Sequence, residues 1–264
     1  MKPLVDAPSP LSVAVLVSES DVRLRSLLSG DPNGRYELVG AVASHPDCDA
    51  VDTLRGDGVP VAVEDIEAFY AARDLPLSER EVRPAYDERV SAALDRFDPD
   101  VVVCSGYRFV LTDPVLEQYA PRIISAHHAD LTVRENGEPK YPGLHATRDA
   151  ILDGQSVTRE TTHLVTPAVD RGPPLVCSRP FPIHGDLVAS ARESGDENVL
   201  DAYVYAHREW MLRAGGGPTL ETAVELIADG RVQLGDDCVY IDGEPGPLRR
   251  GEQPRKRPAR LGVS

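Results

Sequence analysis

The chain reads as an α/β protein: a doubly wound, mostly parallel sheet with a C-terminal hairpin. Three observations predict this. Apolar runs alternate with segments of helical spacing, the pattern of successive βα units. Val101-Val102-Val103-Cys104 is a continuous apolar run, which suits a central parallel strand buried on both faces. Two His follow the apolar run Ile123-Ile124 and an Asp follows Thr161–Val165, so polar groups gather past strand ends, where open α/β sheets bind ligands.

In chain order, Ser12–Val17 is a first strand. Ser20 or Asp21 is placed to cap a helix over Val22–Leu28. A βα turn of this kind can cradle a phosphate. No Gly lies between Ser18 and Ser29, however, and Glu19 and Asp21 add negative charge, so a plain helix start with its usual acids is the simpler reading. Glu37–Ser44 is a second strand, Asp49–Arg55 a helix and Gly58–Val63 a short third strand. Glu64–Pro84 is polar and mixed, and Ala85–Phe97 has helical spacing. After Val101–Cys104 comes a loop, Ser105–Leu111, then a helix over Thr112–Tyr119 with Pro114 in its first turn. Ile123–Ser125 is the next strand. Asn136-Gly137 is a hairpin signal, Tyr141-Pro142-Gly143 a turn, and Ala146–Asp153 a helix stopped by Gly154. Thr161–Val165 and Pro174–Arg179 are strands. Asp186–Arg213 is a long helix broken hard at Gly215-Gly216-Gly217-Pro218, and Leu220–Ala228 a short one. Arg231–Leu234 and Cys238–Ile241 form the terminal hairpin.

With 264 residues the chain can bury one sizeable core. It divides into a Pro-rich flexible start (1–10), one domain (11–247) and a basic, Pro-rich solvated tail (248–264). It has no apolar run of membrane length and no signal-like N-terminus, which points to the cytoplasm. The net charge of −15 argues against a nucleic-acid partner, which requires a concentrated basic face. Its only lysines are Lys2, Lys140 and Lys256, and an acid-rich, Lys-poor surface fits work at high salt. Cys48, Cys104, Cys177 and Cys238 share no CxxC spacing and read as free thiols. His127, His128, His145 and His163 lack metal-ligand spacing, so no metal is expected.

The run Lys140-Tyr141-Pro142-Gly143-Leu144-His145, with His127 upstream and Asp170-Arg171-Gly172-Pro173 downstream, resembles the folate-dependent formyltransferases. Thr162-His163-Leu164-Val165-Thr166, Ala228-Asp229-Gly230-Arg231-Val232 and Ile241-Asp242-Gly243 extend the resemblance across Leu11–Pro247, and several motifs in one order are specific where one is weak. The similarity is greatest to the branch that formylates glycinamide ribonucleotide. It implies 10-formyltetrahydrofolate as co-substrate, small-molecule partners only, a monomer or homodimer, and His127 and Asp170 as the catalytic pair. Ser125 stands where the family carries an Asn, so a hydroxyl replaces an amide donor. Arg108, Phe109, Val110 and Leu111 are implied to hold the pterin; without the resemblance, Val110 and Leu111 read equally as buried loop residues. Ser18, Arg23, Tyr141 and Gly143 are implied on the acceptor side. The family's first loop is Gly-rich, and this one is not, so either a different amine or an acceptor phosphate held by Arg23, Arg134 or Lys140 is expected. A hydrolase releasing formate and a non-catalytic folate- or nucleotide-binding protein are the alternatives. Hydrolases of this type carry an extra N-terminal domain, for which the stretch before Leu11 leaves no room.

Overall fold

Val101–Cys104 is buried along its whole length and runs parallel to both neighbours, Leu11–Val17 on one side and Ile123–His127 on the other. This is the environment its unbroken apolar sequence requires. The computed structural model describes residues 2–6, 10–19, 22–29, 31–235 and 238–251. Its main sheet has eight strands in the order Leu248–Arg249, Pro174–Cys177, Thr161–Leu164, Ile123–His127, Val101–Cys104, Leu11–Val17, Tyr36–Ala43, Val61–Val63. From Ile123–His127 to Val61–Val63 the strands are parallel; Thr161–Leu164 pairs antiparallel with both of its neighbours.

Each face of the sheet buries its own apolar layer. Val13, Val15, Val103 and Ile124 pack under the helices Leu24–Leu28, Asp49–Gly56 and Gly217–Ala228. Ala14, Leu16, Val102, Cys104 and Ile123 pack under Ile66–Ala71, Arg83–Asp95 and Asp113–Tyr119. The alternation along each strand therefore decides which face a side chain serves. The terminal hairpin, Val232–Leu234 with Val239–Ile241, forms a separate small sheet.

Several elements depart from the sequence reading. The polar stretch 64–84 contains the helix Ile66–Ala71, which buries Ile66, Phe69 and Tyr70 and is capped by the Asp65 carboxylate accepting from Ala68 N at 3.0 Å. The long C-terminal helix is two, Gly185–Ser194 and Glu197–Met211, separated at Gly195 with φ +68°. The four-residue Gly-Pro run is not a break. A π turn, Leu212–Gly216, leads without interruption into Gly217–Ala228. The glycines serve close approach instead: a Cβ on Gly216 would stand 2.9 Å from Arg23 Nε. At the N-terminus, Lys2–Pro3 pairs with Val232–Leu234 rather than fraying, because Leu4 is buried in the core beside that strand. At the other end, Leu248–Arg249 extends the main sheet and Arg250 Nη1 donates to Pro218 O at 2.8 Å. The rest of the tail, the proposed caps Ser20 and Asp21, and the hairpin tip at 236–237 lie outside the described residues. Cys48, Cys104 and Cys177 are buried free thiols and Cys238 is half-buried. Among the described residues no helix is long and apolar enough to cross a membrane.

Candidate active site

His127 is the last residue of its strand rather than a loop residue beyond it. Pleating sets its direction. Ile123, Ser125 and His127 share the face toward Arg83–Asp95 and Asp113–Tyr119; Ile124 and Ala126 pack into the opposite layer, so His128 follows them to that side. The antiparallel register places Thr161 opposite His127 and His163 opposite Ser125.

Asp170 arrives from the loop after Thr161–Leu164. Its backbone sits at φ +54°, a conformation Asp tolerates better than most residues, and Gly172 permits the loop to return, since a Cβ there would overlap Leu164 O at 1.8 Å. The Asp170 carboxylate then has one hydrogen bond and two imidazole neighbours. Gly143 N donates to Oδ2 at 2.8 Å, His127 Nδ1 lies 3.3 Å from Oδ2, and His163 Nε2 lies 3.5 Å from Oδ1. Burial pushes this carboxyl up, but His163, His127 and the Gly143 N–H together hold it at about 2. Gly143 reaches it because the Tyr-Pro-Gly turn places Gly143 at φ +82°. Tyr141 anchors that turn. Its ring is buried, its OH donates to Asp153 Oδ2 at 2.6 Å, and its carbonyl lies 2.8 Å from His127 Nε2. Both His127 nitrogens thus face acceptors, an arrangement that suits imidazolium, while burial pushes the ring below its usual value. Ser125 is half-buried on the same strand face as His127, and its hydroxyl bonds to no described residue.

The loop Ser105–Leu111 lies on the His127 side of the sheet. Arg108 is exposed and paired with Glu19, Phe109 is half-buried against Tyr107, Val110 is 50% exposed and Leu111 is buried. An exposed Val beside a half-buried Phe leaves apolar surface open at the strand ends, which the plain loop reading did not anticipate for Val110. Ser18 is buried and ties the first turn to this loop: its Oγ accepts from Arg108 N at 3.2 Å and from Ser44 Oγ at 2.8 Å. The insert is the predicted hairpin, Arg134–Glu135 with Glu138–Pro139, but it lends no cation to the first loop. Arg134 Nη1 donates to Gly137 O at 2.6 Å, and Lys140 Nζ is bound to Asp153 Oδ2 at 2.5 Å; each cation is spent inside the insert's own surroundings.

Arg23 is where the sequence reading and the structure part most. It is the N-cap of its helix but turns inward, 6% exposed, to Glu160: Nη2 lies 3.0 Å from Oε2. Glu160 is fully buried, and its other oxygen is 2.7 Å from His128 Nδ1. Burial pushes Glu160 up, but the neighbouring cationic side chains hold it well below the usual carboxylate range. Burial also pushes His128 down. Arg208 Nη2 stands 3.5 Å from His128 Nε2. Glu160 and Arg208 escaped the sequence reading, which named His163 within a motif and gave it no role. The signal for Glu160 was present, because a lone carboxylate directly before Thr161–Val165 pairs one step beyond His127, opposite His128.

Stability should carry the mark of these histidines. His127, His128 and His207 are all held below the ordinary imidazole value of 6.5, burial being the main cause in each. A group with a depressed value favours folding when deprotonated, so their contribution is whole above 6.5 and is lost as pH falls toward their folded values. Asp170 keeps its contribution to lower pH, losing it only as pH falls below its ordinary 3.8 toward about 2. The urea midpoint is expected to be level from about pH 8 to about pH 7 and to drop by about pH 5. A midpoint that rises on acidification would show that relief of the net charge of −15 outweighs the buried histidines.

Against known proteins, residues 11–203 match the family described as formyl transferase. The chain is 31% identical over 183 residues to phosphoribosylglycinamide formyltransferase of Mycobacterium tuberculosis, covering 69% of this chain and 76% of that one. It is 25% identical over 239 residues to the Escherichia coli protein of the same description, covering 90% and 96%. Among solved structures, glycinamide ribonucleotide transformylase 1 from Symbiobacterium toebii superposes with a TM-score of 0.63 at 26% identity, over 88% of this chain and 93% of that one. A formyltetrahydrofolate deformylase from Burkholderia mallei shares the fold at a TM-score of 0.64 and 20% identity, over 88% of this chain and 70% of that one.

Proposed function

Because the chain belongs to the formyl transferase family, we propose that it transfers the formyl group of 10-formyltetrahydrofolate to an amine, glycinamide ribonucleotide, in purine biosynthesis. The reading includes cytoplasmic work on small molecules by a monomer or homodimer. The observation that carries it is the Asp170 carboxylate bonded by Gly143 N and flanked by His127 and His163 at the strand ends, beside an open apolar loop.

In this mechanism the donor's pterin lies on Arg108–Leu111, and the formyl carbon on its N10 faces His127. The acceptor amine attacks that carbon, a C–N bond forms, and the carbonyl electrons move to oxygen. His127 donates to the oxyanion. The Tyr141 carbonyl now holds the Nε2 proton at 2.8 Å, and a charged oxyanion is the stronger acceptor and competes for it. Ser125, on the same strand face with its hydroxyl uncommitted, supplies a second donor. Asp170 favours the protonated ring and orients it, and through water it accepts the proton that the amine gives up. Collapse of the intermediate breaks the bond to folate N10, which leaves with the proton returned from Asp170 through the same water.

Supplying 10-formyltetrahydrofolate alone and with glycinamide ribonucleotide tests the reading, with release of tetrahydrofolate as the signal. Turnover only in the presence of the acceptor is expected. Release of formate without it would replace transfer by hydrolysis, and donor binding with no turnover under either condition would remove the enzymatic reading.

A further inference from the structure

The two consecutive histidines at the end of Ile123–His127 serve opposite faces of the sheet. His127 points to the face that carries the Ser105–Leu111 loop. His128 points to the other, toward Leu24–Leu28 and the helices that meet at the glycine turn. A transfer between two bound molecules needs them on opposite sides of the reacting carbon. With the donor on the loop side, the acceptor comes in over His128.

On that side the described residues of the first βα turn, 18–19 and 22–23, present no free cation to an anion. Its helix is only Leu24–Leu28, and its N-cap side chain, Arg23, is folded under the glycine turn with Gly216 against it. Arg23 and Glu160 cancel one another's charge at 3.0 Å. His128 places Nδ1 2.7 Å from Glu160 Oε1, the position of an N–H donor, and Arg23 Nη2 stands 3.0 Å from both of its ring nitrogens. Over this paired floor stands Arg208, exposed, with a single long contact to His128 Nε2 at 3.5 Å and no carboxylate partner among the described residues. Its helical neighbour Glu209 is already paired with Arg213. An uncompensated guanidinium beside the reaction centre, in a chain of net charge −15, is a site that an anion completes.

Resting on the formyl-transfer reading, the geometry points to Arg208 as the residue that receives the acceptor's phosphate, over the floor made by His128, Glu160 and Arg23. The chemical class is a primary amine carrying a phosphate monoester, held by the helix Glu197–Met211 rather than by the first turn. Arg208 is here a specificity residue; it does not touch the reacting atoms.

The test uses the full chain, Arg208→Ala and Arg208→Lys, with glycinamide ribonucleotide and its phosphate-free riboside as acceptors. With saturating donor, Arg208→Ala is expected to raise KM for the ribonucleotide at least about tenfold, the loss of one charge-assisted contact, with kcat within about twofold. Arg208→Lys should restore part of the loss, and KM for the riboside should not respond. Donor affinity, read separately, should be the same in all three proteins. An unchanged ribonucleotide KM in Arg208→Ala, or an equal rise for the riboside, overturns the assignment. If the unchanged chain turns nothing over, calorimetric titration with the ribonucleotide decides. Binding lost in Arg208→Ala upholds the phosphate site while the transfer reading fails; no binding to the unchanged chain overturns the site as well.

Discussion

Asp170→Asn is expected to lower kcat about a thousandfold or more while the fold and donor binding persist. The substitution is close to isosteric. The amide oxygen can occupy the Oδ2 place and keep the Gly143 N–H bond of 2.8 Å, which leaves the NH2 group toward His163. Asn also accepts the φ of +54° at this position, where Ala would be strained. Only the charge is lost. Burial already pushes His127 toward its neutral form, and Asp170 is the main opposing influence. Without it the ring is a poorer donor to an oxyanion, and no carboxylate remains to take up the amine's proton. Asp170 is held at about 2, so the charge removed is present at every working pH. The measurement is a single-turnover rate with both substrates bound. A fall of less than about tenfold would mean that Asp170 only props up the Tyr-Pro-Gly turn and that proton transfer runs elsewhere.

Glu160→Gln is expected to give the largest loss of stability, about 3–5 kcal/mol. The carboxylate is fully buried between Arg23 Nη2 at 3.0 Å and His128 Nδ1 at 2.7 Å. Gln can keep one acceptor but not two, and its NH2 must then face a donor. Arg23, 6% exposed and with Nε already unpartnered, would be left as an uncompensated buried cation. Relief through movement is blocked because the glycine turn lies against the guanidinium and Ser178 clamps the strand, Glu160 N donating to its Oγ at 2.9 Å. For a domain of this size the loss corresponds to a fall in Tm of roughly 6–20 °C. The double change Arg23→Met, Glu160→Leu removes both charges and should recover much of the deficit, since well-packed apolar residues can replace a buried pair. Denaturant titration of the three proteins reads this directly. A Glu160→Gln midpoint equal to the parent's would show that the pair contributes nothing beyond its own desolvation.

Much of the frame was legible because burial on two faces leaves a plain signature. The run Val101–Cys104 could hardly be anything but a central strand, and the alternation around it implied helices on both sides. The meeting of His127 with Asp170 was legible for a different reason, since both sit in motifs that resemble the family's and whose turn residues are needed to bring them together. Gly143 must reach φ +82° and Gly172 must lack a Cβ, so chemistry and punctuation were written side by side. The helix Ile66–Ala71 was missed because its three apolar residues are too few to raise a periodic signal above a polar background.

What the sequence by itself determined is the sheet and its two-faced core, because local pattern decides both; the meeting of His127 with Asp170 was legible only through the motifs that resemble the family's. Only the tertiary structure decided the fate of the charges. Arg23 and Glu160 are separated by most of the sheet's connectivity, and no spacing rule says that one will turn inward to the other. The same holds for the glycine run, which reads as a helix break in isolation but is a smooth π turn once Arg23 takes the space its side chains would have filled. Charge pairing across distant segments depends on which side chains packing forces together out of water, and there a buried cation must find its carboxylate or the fold does not close.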